Sequence, residues 1–273
     1  MRPPFGLGLR YSGFQLMRIA KLLVIVLLAF STILNAELYI VAHFPYGDGW
    51  STHLLLTNGS ANPVAVELSY FTQGGQPAFV PFAGPEVASI RQLQIGPNQV
   101  ATVDSDPTKR NATGQVTWAI ARSNGPLNIF SLFDYAPTSV PSTIPSTQIV
   151  AAVGAASTQA SRSFRFPVNV NGTSQFNGGI ALANPNSSAA AISLTLMDKD
   201  GVVRDTRVML LSPNGQASFV LTDDVAFKRA LDQSQLFTGS VGVCASVPIG
   251  LLAVGSESNV FFTVSVSNDY RCN

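Results

Sequence analysis

The sequence predicts an all-β protein: two tandem immunoglobulin-like antiparallel β-sandwich domains that follow an N-terminal signal peptide. Three observations carry this expectation. The 273 residues are 46% hydrophobic and only 11% charged, with 22 Gly and 17 Pro. A usual soluble domain is roughly 25% charged, so this composition excludes disorder for most of the chain, and its many turn formers argue against long helices. Apolar residues alternate along short segments, the period of half-buried strands. Finally, one unit is written twice along the chain.

The first segment reads as an address. Arg2, Arg10, Arg18 and Lys21 precede an apolar run from Leu22 to Leu34, and Asn35-Ala36 follows. Basic region, apolar region and small residue come in the order of a secretory signal peptide, with cleavage expected after Ala36. The run falls short of the roughly 20 apolar residues of a bilayer span, although an uncleaved anchor is the alternative. Met17 would begin a signal of more usual length. Without residues 1–36 the chain carries 12 Lys+Arg against 15 Asp+Glu. Such a balance offers no basic surface for nucleic acid.

The remainder divides into residues 37–154, a linker at 155–162 and residues 163–273. His53–Ser60 lies over Gly179–Asn186, and the match continues without a gap from Pro63–Gly75 to Ala189–Gly201. Leu56/Leu182, Asn58/Asn184, Leu68/Leu194 and Gly75/Gly201 coincide. Ile95–Ala101 then lies over Leu211–Ala217, so the first unit holds an insertion around Phe82–Gln92. Thr113–Trp118 is set over Thr238–Val243, and Pro126 and Pro248 follow. Val64, Val66, Leu68 and Tyr70 share one strand face, as do Ala190, Ile192, Leu194 and Leu196. Gly74-Gly75 and Asp200-Gly201 close hairpin-type turns. Seven or eight short strands in about 110 residues match the size of an immunoglobulin-like sandwich. The uncharged stretch Tyr135–Ser161 is assigned partly to a loop at Ala136–Thr147 inside the first unit and partly to a short linker. Solvent faces rich in Ser, Thr, Asn and Gln do little to deter edge pairing.

The inventory of reactive groups is small. Cys244 and Cys272 are expected to form a disulfide in an exported chain. The alternative is one buried thiol and one free tail thiol. His43 and His53 are the two histidines, too few for a three-His zinc site, and both read as structural. No G-x-S-x-G turn is present. Asp198-Lys-Asp200-Gly201 lacks the rest of a calcium loop and reads as a turn. Asp104/Asp106 and Asp223/Asp224 read as loop acids that could at most hold a weak Ca²⁺. Trp118 shares parity with Val116 and Ile120 and reads as a core residue. Trp50 lies in the Gly-rich stretch Phe44–Trp50, where it either caps the sandwich or stacks on sugar together with Tyr46 and Asp48. Asn58, Asn111, Asn171 and Asn186 open N-x-[ST] sequons.

The run Tyr46-Gly-Asp-Gly-Trp50-Ser-Thr, the Leu/Ile-x-Leu-x-Asn segments at Leu54–Asn58 and Ile180–Asn184, and the later Gly, Pro-Asn and Pro positions form a pattern. It resembles a group of bacterial exported proteins with tandem immunoglobulin-like repeats, over about residues 43–133 and 164–266. The resemblance implies an exported, non-catalytic module of the cell surface or matrix, and it transfers no catalytic residue. Together these readings predict a secreted, cell-surface or periplasmic binding or scaffolding protein with no metal or other cofactor. Its partner would be a surface protein or polysaccharide, and the membrane would be touched only through a retained signal segment. The rival readings are a carbohydrate-binding module using Tyr46, Asp48 and Trp50, a self-associating fibre subunit joined by strand addition, and an enzyme built around His43 or His53.

Overall fold

The computed structural model describes residues 36–109, 112–136, 151–170, 177–231, 236–257 and 260–272. The expected signal segment lies outside them apart from Ala36, as do the loop at 137–147 and the sequons at Asn111 and Asn171. The chain is all-β. Among the described residues the helical pieces are two 3-10 turns, Pro107–Lys109 and Leu221–Asp223, and no helix is long and apolar enough to cross a membrane.

The strands in order are β1 (Glu37–Tyr46), β2 (Trp50–Thr57), β3 (Val64–Thr72), β4 (Val80–Pro81), β5 (Val87–Ala88), β6 (Ile90–Ile95), β7 (Val100–Asp104), β8 (Gln115–Ser123), β9 (Asn128–Tyr135) and β10 (Ala151–Ala156). They continue as β11 (Ser161–Val170), β12 (Asn177–Ala183), β13 (Ala190–Asp198), β14 (Val203–Leu211), β15 (Gln216–Val220), β16 (Phe237–Glu257) and β17 (Val260–Thr263). One antiparallel sheet has the order β1-β8-β3-β6 and a second has β10-β9-β2-β7. The insertion near Phe82 forms the small β4–β5 hairpin. It carries Phe82 into the core, edge-on to Tyr70 at 5.3 Å.

The remaining strands form a seven-stranded sheet organised by β16. Its first part, Phe237–Ala245, pairs with β11 on one side and β13 on the other, and β14 lies beyond β13. Its second part, Gly250–Glu257, pairs with β12 and β17, and β15 lies beyond β12. The orders β11-β16-β13-β14 and β17-β16-β12-β15 thus reproduce those of the first two sheets position by position. Gly125-Pro126 separates β8 from β9. Pro248 sits in the gap of β16 between the β13 and β12 ladders, where a residue without an N–H loses no ladder bond.

Two apolar clusters follow from the alternation. Val64, Val66, Leu68 and Tyr70 of β3 are buried with Leu54, Leu56, Val103 and Ile129 from the facing sheet. Ala190, Ile192, Leu194 and Leu196 are buried with Phe164, Phe166, Leu182 and Leu251. A third cluster lies between the first unit and the second, where the outward faces of β1 and β8 (Ile40, Ala42, Trp118, Ile120) meet those of β12 and β16 (Ala181, Ala183, Leu252). The connection from β10 to β11 is only Ser157–Ala160, and Thr158 exchanges two backbone bonds with Ile40 (3.1 and 3.2 Å). Gln216 is 4% exposed; its N–H donates to Gln73 O (3.0 Å) and its amide to Ala42 O (3.2 Å).

One correspondence set from the sequence is corrected here. Phe71 pairs with Trp118 in the first unit, and its counterpart Met197 pairs with Ser240. Trp118 therefore matches Ser240, three residues before Val243. An odd slip reverses the face, so Trp118 is buried in the third cluster and not in the sandwich interior. The spacing of Pro126 to Pro248 carries the correct register.

The coincidence of Asn58 and Asn184 has a physical cause. Both side chains are fully buried. The Asn58 amide donates to the carbonyls of Asn62 (2.7 Å), Ile95 (3.2 Å) and Gly96 (3.0 Å), while its oxygen accepts from Ser60 N (2.9 Å). Asn184 repeats this with Ser188 O (2.8 Å), Leu211 O (3.5 Å), Ser212 O (2.9 Å) and Asn186 N (3.1 Å). Each residue pins its loop to the turn after β6 or β14. An Asn58 nitrogen holding three carbonyls cannot carry a glycan in the native fold. Asn58→Ala and Asn184→Ala are each expected to cost about 1–3 kcal/mol, the penalty of stranding buried polar groups, read as a shift in the urea midpoint.

Gly75 and Gly201 form a second matched pair, at φ +84° and +80°. A Cβ at Gly201 would meet nothing within 4 Å, whereas one at Gly75 would lie 2.2 Å from Pro213 O in the second unit. Gly201→Ala is expected to cost about 1–2 kcal/mol for the left-handed backbone alone. Gly75→Ala should cost measurably more in the same denaturant titration, and the difference isolates the contact between the units.

Cys244 and Cys272 are joined, with S–S 2.12 Å and Cα–Cα 5.8 Å. The bond ties the C-terminal tail to β16, and the closed loop is worth roughly 3–4 kcal/mol on a chain-entropy basis.

Candidate functional site

The Tyr46–Trp50 stretch is a turn between β1 and β2, strands of different sheets. Gly47 and Trp50 exchange backbone bonds (3.1 and 2.9 Å) around Asp48 and Gly49, whose φ values are +48° and +89°. Two positive φ values make this a type I′ turn, which Asp-Gly favours. The Gly-Asp-Gly pattern is therefore conformational in origin. Asp48 is exposed. Tyr46 packs against the cluster of the first sandwich, and its hydroxyl lies 3.5 Å from Phe79 O. Trp50 turns into the third cluster, with ring centroids 5.0 Å from Tyr135 and 6.1 Å from Phe261. Tyr46 and Trp50 thus belong to different clusters, and the turn does not gather them onto one face.

Trp50 instead lines a cleft at the junction of the two units. The cleft has a volume of about 310 Å³, and its walls include His43, Phe133, Phe219, Leu252 and Phe261. No Asp, Glu, Lys or Arg lines it. His43 reaches it through a β-bulge. Val41 pairs with Ala119 and Phe44 with Thr117, so β1 carries one residue more than β8 between these points. The extra residue puts Ala42 and His43 on the same outward side, a known effect of bulges. The matching strand β11 runs from Ser163 to Val170 without a register shift, so only the first unit makes this adjustment.

The His43 ring meets Phe133 edge-on at 5.6 Å. Its Nδ1 is shielded from solvent and has no hydrogen-bond partner among the described residues. Burial pushes the imidazole down to about 4, so the ring is neutral at pH 7. A neutral imidazole offers one donor and one acceptor. The cleft is therefore a mostly apolar, aromatic-walled space whose lining carries few polar side-chain groups, those of His43, Trp50 and Ser218.

A second group stands on the outward face of β2, β7 and β9. His53 Nδ1 lies 2.9 Å from Asp104, and its Nε2 lies 3.5 Å from the buried Asp134. Ser51 donates to the same Asp134 carboxylate. This grouping was not legible in the sequence, since it joins residues from three strands through ladder register.

The other acids have local roles. Asp106 accepts from the Thr108 hydroxyl (2.7 Å) and N–H (2.8 Å), which hold its carboxyl below the usual range. Asp198 accepts from Val202 N (2.9 Å), Asp200 N (2.9 Å) and Arg204, and the same bonds lower its pKa. It is a turn-forming acid, as the sequence suggests. Asp224 binds Arg207 and Ala226 N. Among the described residues no group of three or more His, Cys, Asp or Glu is arranged to hold a metal ion. No protein-family model matches the sequence, and no curated protein matches it.

Proposed function

We propose that the chain is an exported, non-catalytic binding or scaffolding protein of the cell surface or extracellular matrix, built as two tandem immunoglobulin-like sandwiches. The observation that carries this reading is the third apolar cluster, which makes one stiff body of two similar units and suits a contact protein better than flexibly strung beads. The leader-like residues 1–36 and the disulfide support export. The immunoglobulin likeness rests on the inner strands. The pairs β2–β7 and β3–β8 correspond to B–E and C–F of that fold. The outer strands β1 and β6 join the sheet of β3 and β8, and β9 joins the sheet of β2 and β7, so three outer strands lie on the opposite sheet from the constant-type order.

The test is a binding screen of the purified exported protein against the host's cell envelope, insoluble polysaccharides and a glycan array. Saturable binding to an envelope component supports the reading. Turnover of any component without stable binding overturns it. A second reading, a fibre subunit, is favoured by β14, an edge strand whose Val208 and Leu210 are 74% and 69% exposed. Concentration-dependent mass in light scattering, lost in Val208→Lys, would support that one.

A further inference from the structure

We propose that the junction cleft is a binding site for an uncharged, two-ring aromatic compound bearing one hydroxyl or N–H group, with His43 as its hydrogen-bond partner. The inference goes beyond surface contact and does not depend on it, because it concerns the interior of the junction and not the outer faces.

Four features of the cleft select this chemistry. Size comes first: a dry cavity of about 150 Å³ holds one benzene ring, and this cleft, at about 310 Å³, has room for two fused rings. Its walls come next. Trp50, Phe133 and Phe261, which belong to or pack against the third cluster, offer faces and edges to a flat ring, and aromatic groups pack with centroids 4.5–7 Å apart. Charge is third. With no ionised side chain in the lining, an anion or cation would lose its hydration without a counter-charge. The fourth feature is the unpartnered Nδ1 of His43. A buried polar atom without a partner is uncommon in a folded protein. As the ring stands, Nδ1 is sealed from solvent; a half-turn about Cβ–Cγ, which keeps the ring's shape and exchanges Nδ1 with Cδ2, is the movement by which a ligand hydroxyl would become its partner.

The bulge makes the site specific to the junction. Without the extra residue of β1, His43 would face the sandwich interior. The second unit has no bulge at the matching place. Both units are also needed for the walls, since β1, β2 and β9 supply one side and β12, β15, β16 and β17 the other. Such sites, mostly apolar with few polar groups and set between two units, are the usual form of a small-molecule site.

The test is titration calorimetry of the full exported chain at pH 7 with 2-naphthol, naphthalene and naphthalene-2-sulfonate. One 2-naphthol is expected to bind per chain. Naphthalene should bind about tenfold more weakly, the worth of one hydrogen bond, and the sulfonate should not bind measurably. His43→Phe should erase the difference between naphthol and naphthalene. Gly179→Leu should abolish binding by filling the cleft, since a Cβ there points at Val254 from 3.3 Å. Ser218→Phe fills it from β15 and serves should Gly179→Leu fail to fold. No saturable binding of either neutral compound overturns the proposal. So does binding that survives both filling substitutions in folded protein, or a sulfonate that binds as well as naphthol.

Discussion

Trp118→Ala should lower the unfolding free energy by about 3–5 kcal/mol, the range for deleting a large buried aromatic side chain. Trp118 is fully buried. It stacks on Phe71, with centroids 5.1 Å apart and planes at 28°. Its indole N–H donates to Asn214 O in the second unit (3.0 Å). Removing the ring opens a cavity in the third cluster and leaves that carbonyl without its donor. Because the cluster joins the two units, the loss falls on their coupling more than on either sandwich. The native chain is expected to unfold in a single urea transition, which should separate into two in the variant, followed by circular dichroism and by Trp50 fluorescence. Trp118→Phe should recover part of the packing and not the hydrogen bond. A Trp118→Ala protein that unfolds in one transition at nearly the native midpoint would show that the junction contributes little.

The internal features of each sandwich were legible because local chemistry dictates them. Alternation fixed the faces of β3 and β13, and these are the buried faces. Asn58/Asn184 and Gly75/Gly201 matched because each pair performs one conformational task twice. Asn98 and Asn214, at φ +54° and +52°, do the same in the Pro-Asn turns. The junction was harder to read, since it depends on how one folded unit meets another. A signal was present: Ile40-Val-Ala42 and Ala181-Leu-Ala183 are apolar on both strand faces, the mark of a strand buried on both sides. Trp118 reads from the sequence as a core residue and Trp50 as a cap or a sugar platform of the first unit, and both pack into the junction. A residue peculiar to one repeat is therefore as apt to serve the contact between repeats as to serve a ligand. The bulge at His43 had no sequence signal. It appears only in the pairing of β1 with β8, and one residue of register decides whether a side chain faces the core or the cleft. The same holds for His53, which meets Asp104 and Asp134 only once β7 and β9 flank β2.

His43 should make the fold acid-sensitive in a window of its own. Its ordinary value is 6.5, and burial in the native protein lowers it to about 4. Between these values the unfolded chain takes up a proton that the native chain refuses. Unfolding then binds protons, so stability rises with pH across the window. The contribution is fully present above about pH 6.5, falls progressively as the pH drops, and is gone below about pH 4. At 1.36 kcal/mol per pH unit, the loss across the window is about 3 kcal/mol. No acid or base among the cleft residues of β2, β9, β10, β12, β15, β16 and β17 faces the ring to offset it. The carboxyls of Asp106, Asp198 and Asp269 are held below their ordinary 3.8 by hydrogen bonds, so their protonation falls at lower pH. Urea midpoints measured from pH 4.5 to 7.5 should therefore fall toward acid in the native protein. In His43→Phe, which keeps a ring in the cleft but cannot take a proton, the same profile should flatten. Parallel profiles for the two proteins would place the acid sensitivity elsewhere and show that the imidazole accepts its proton without opening the junction.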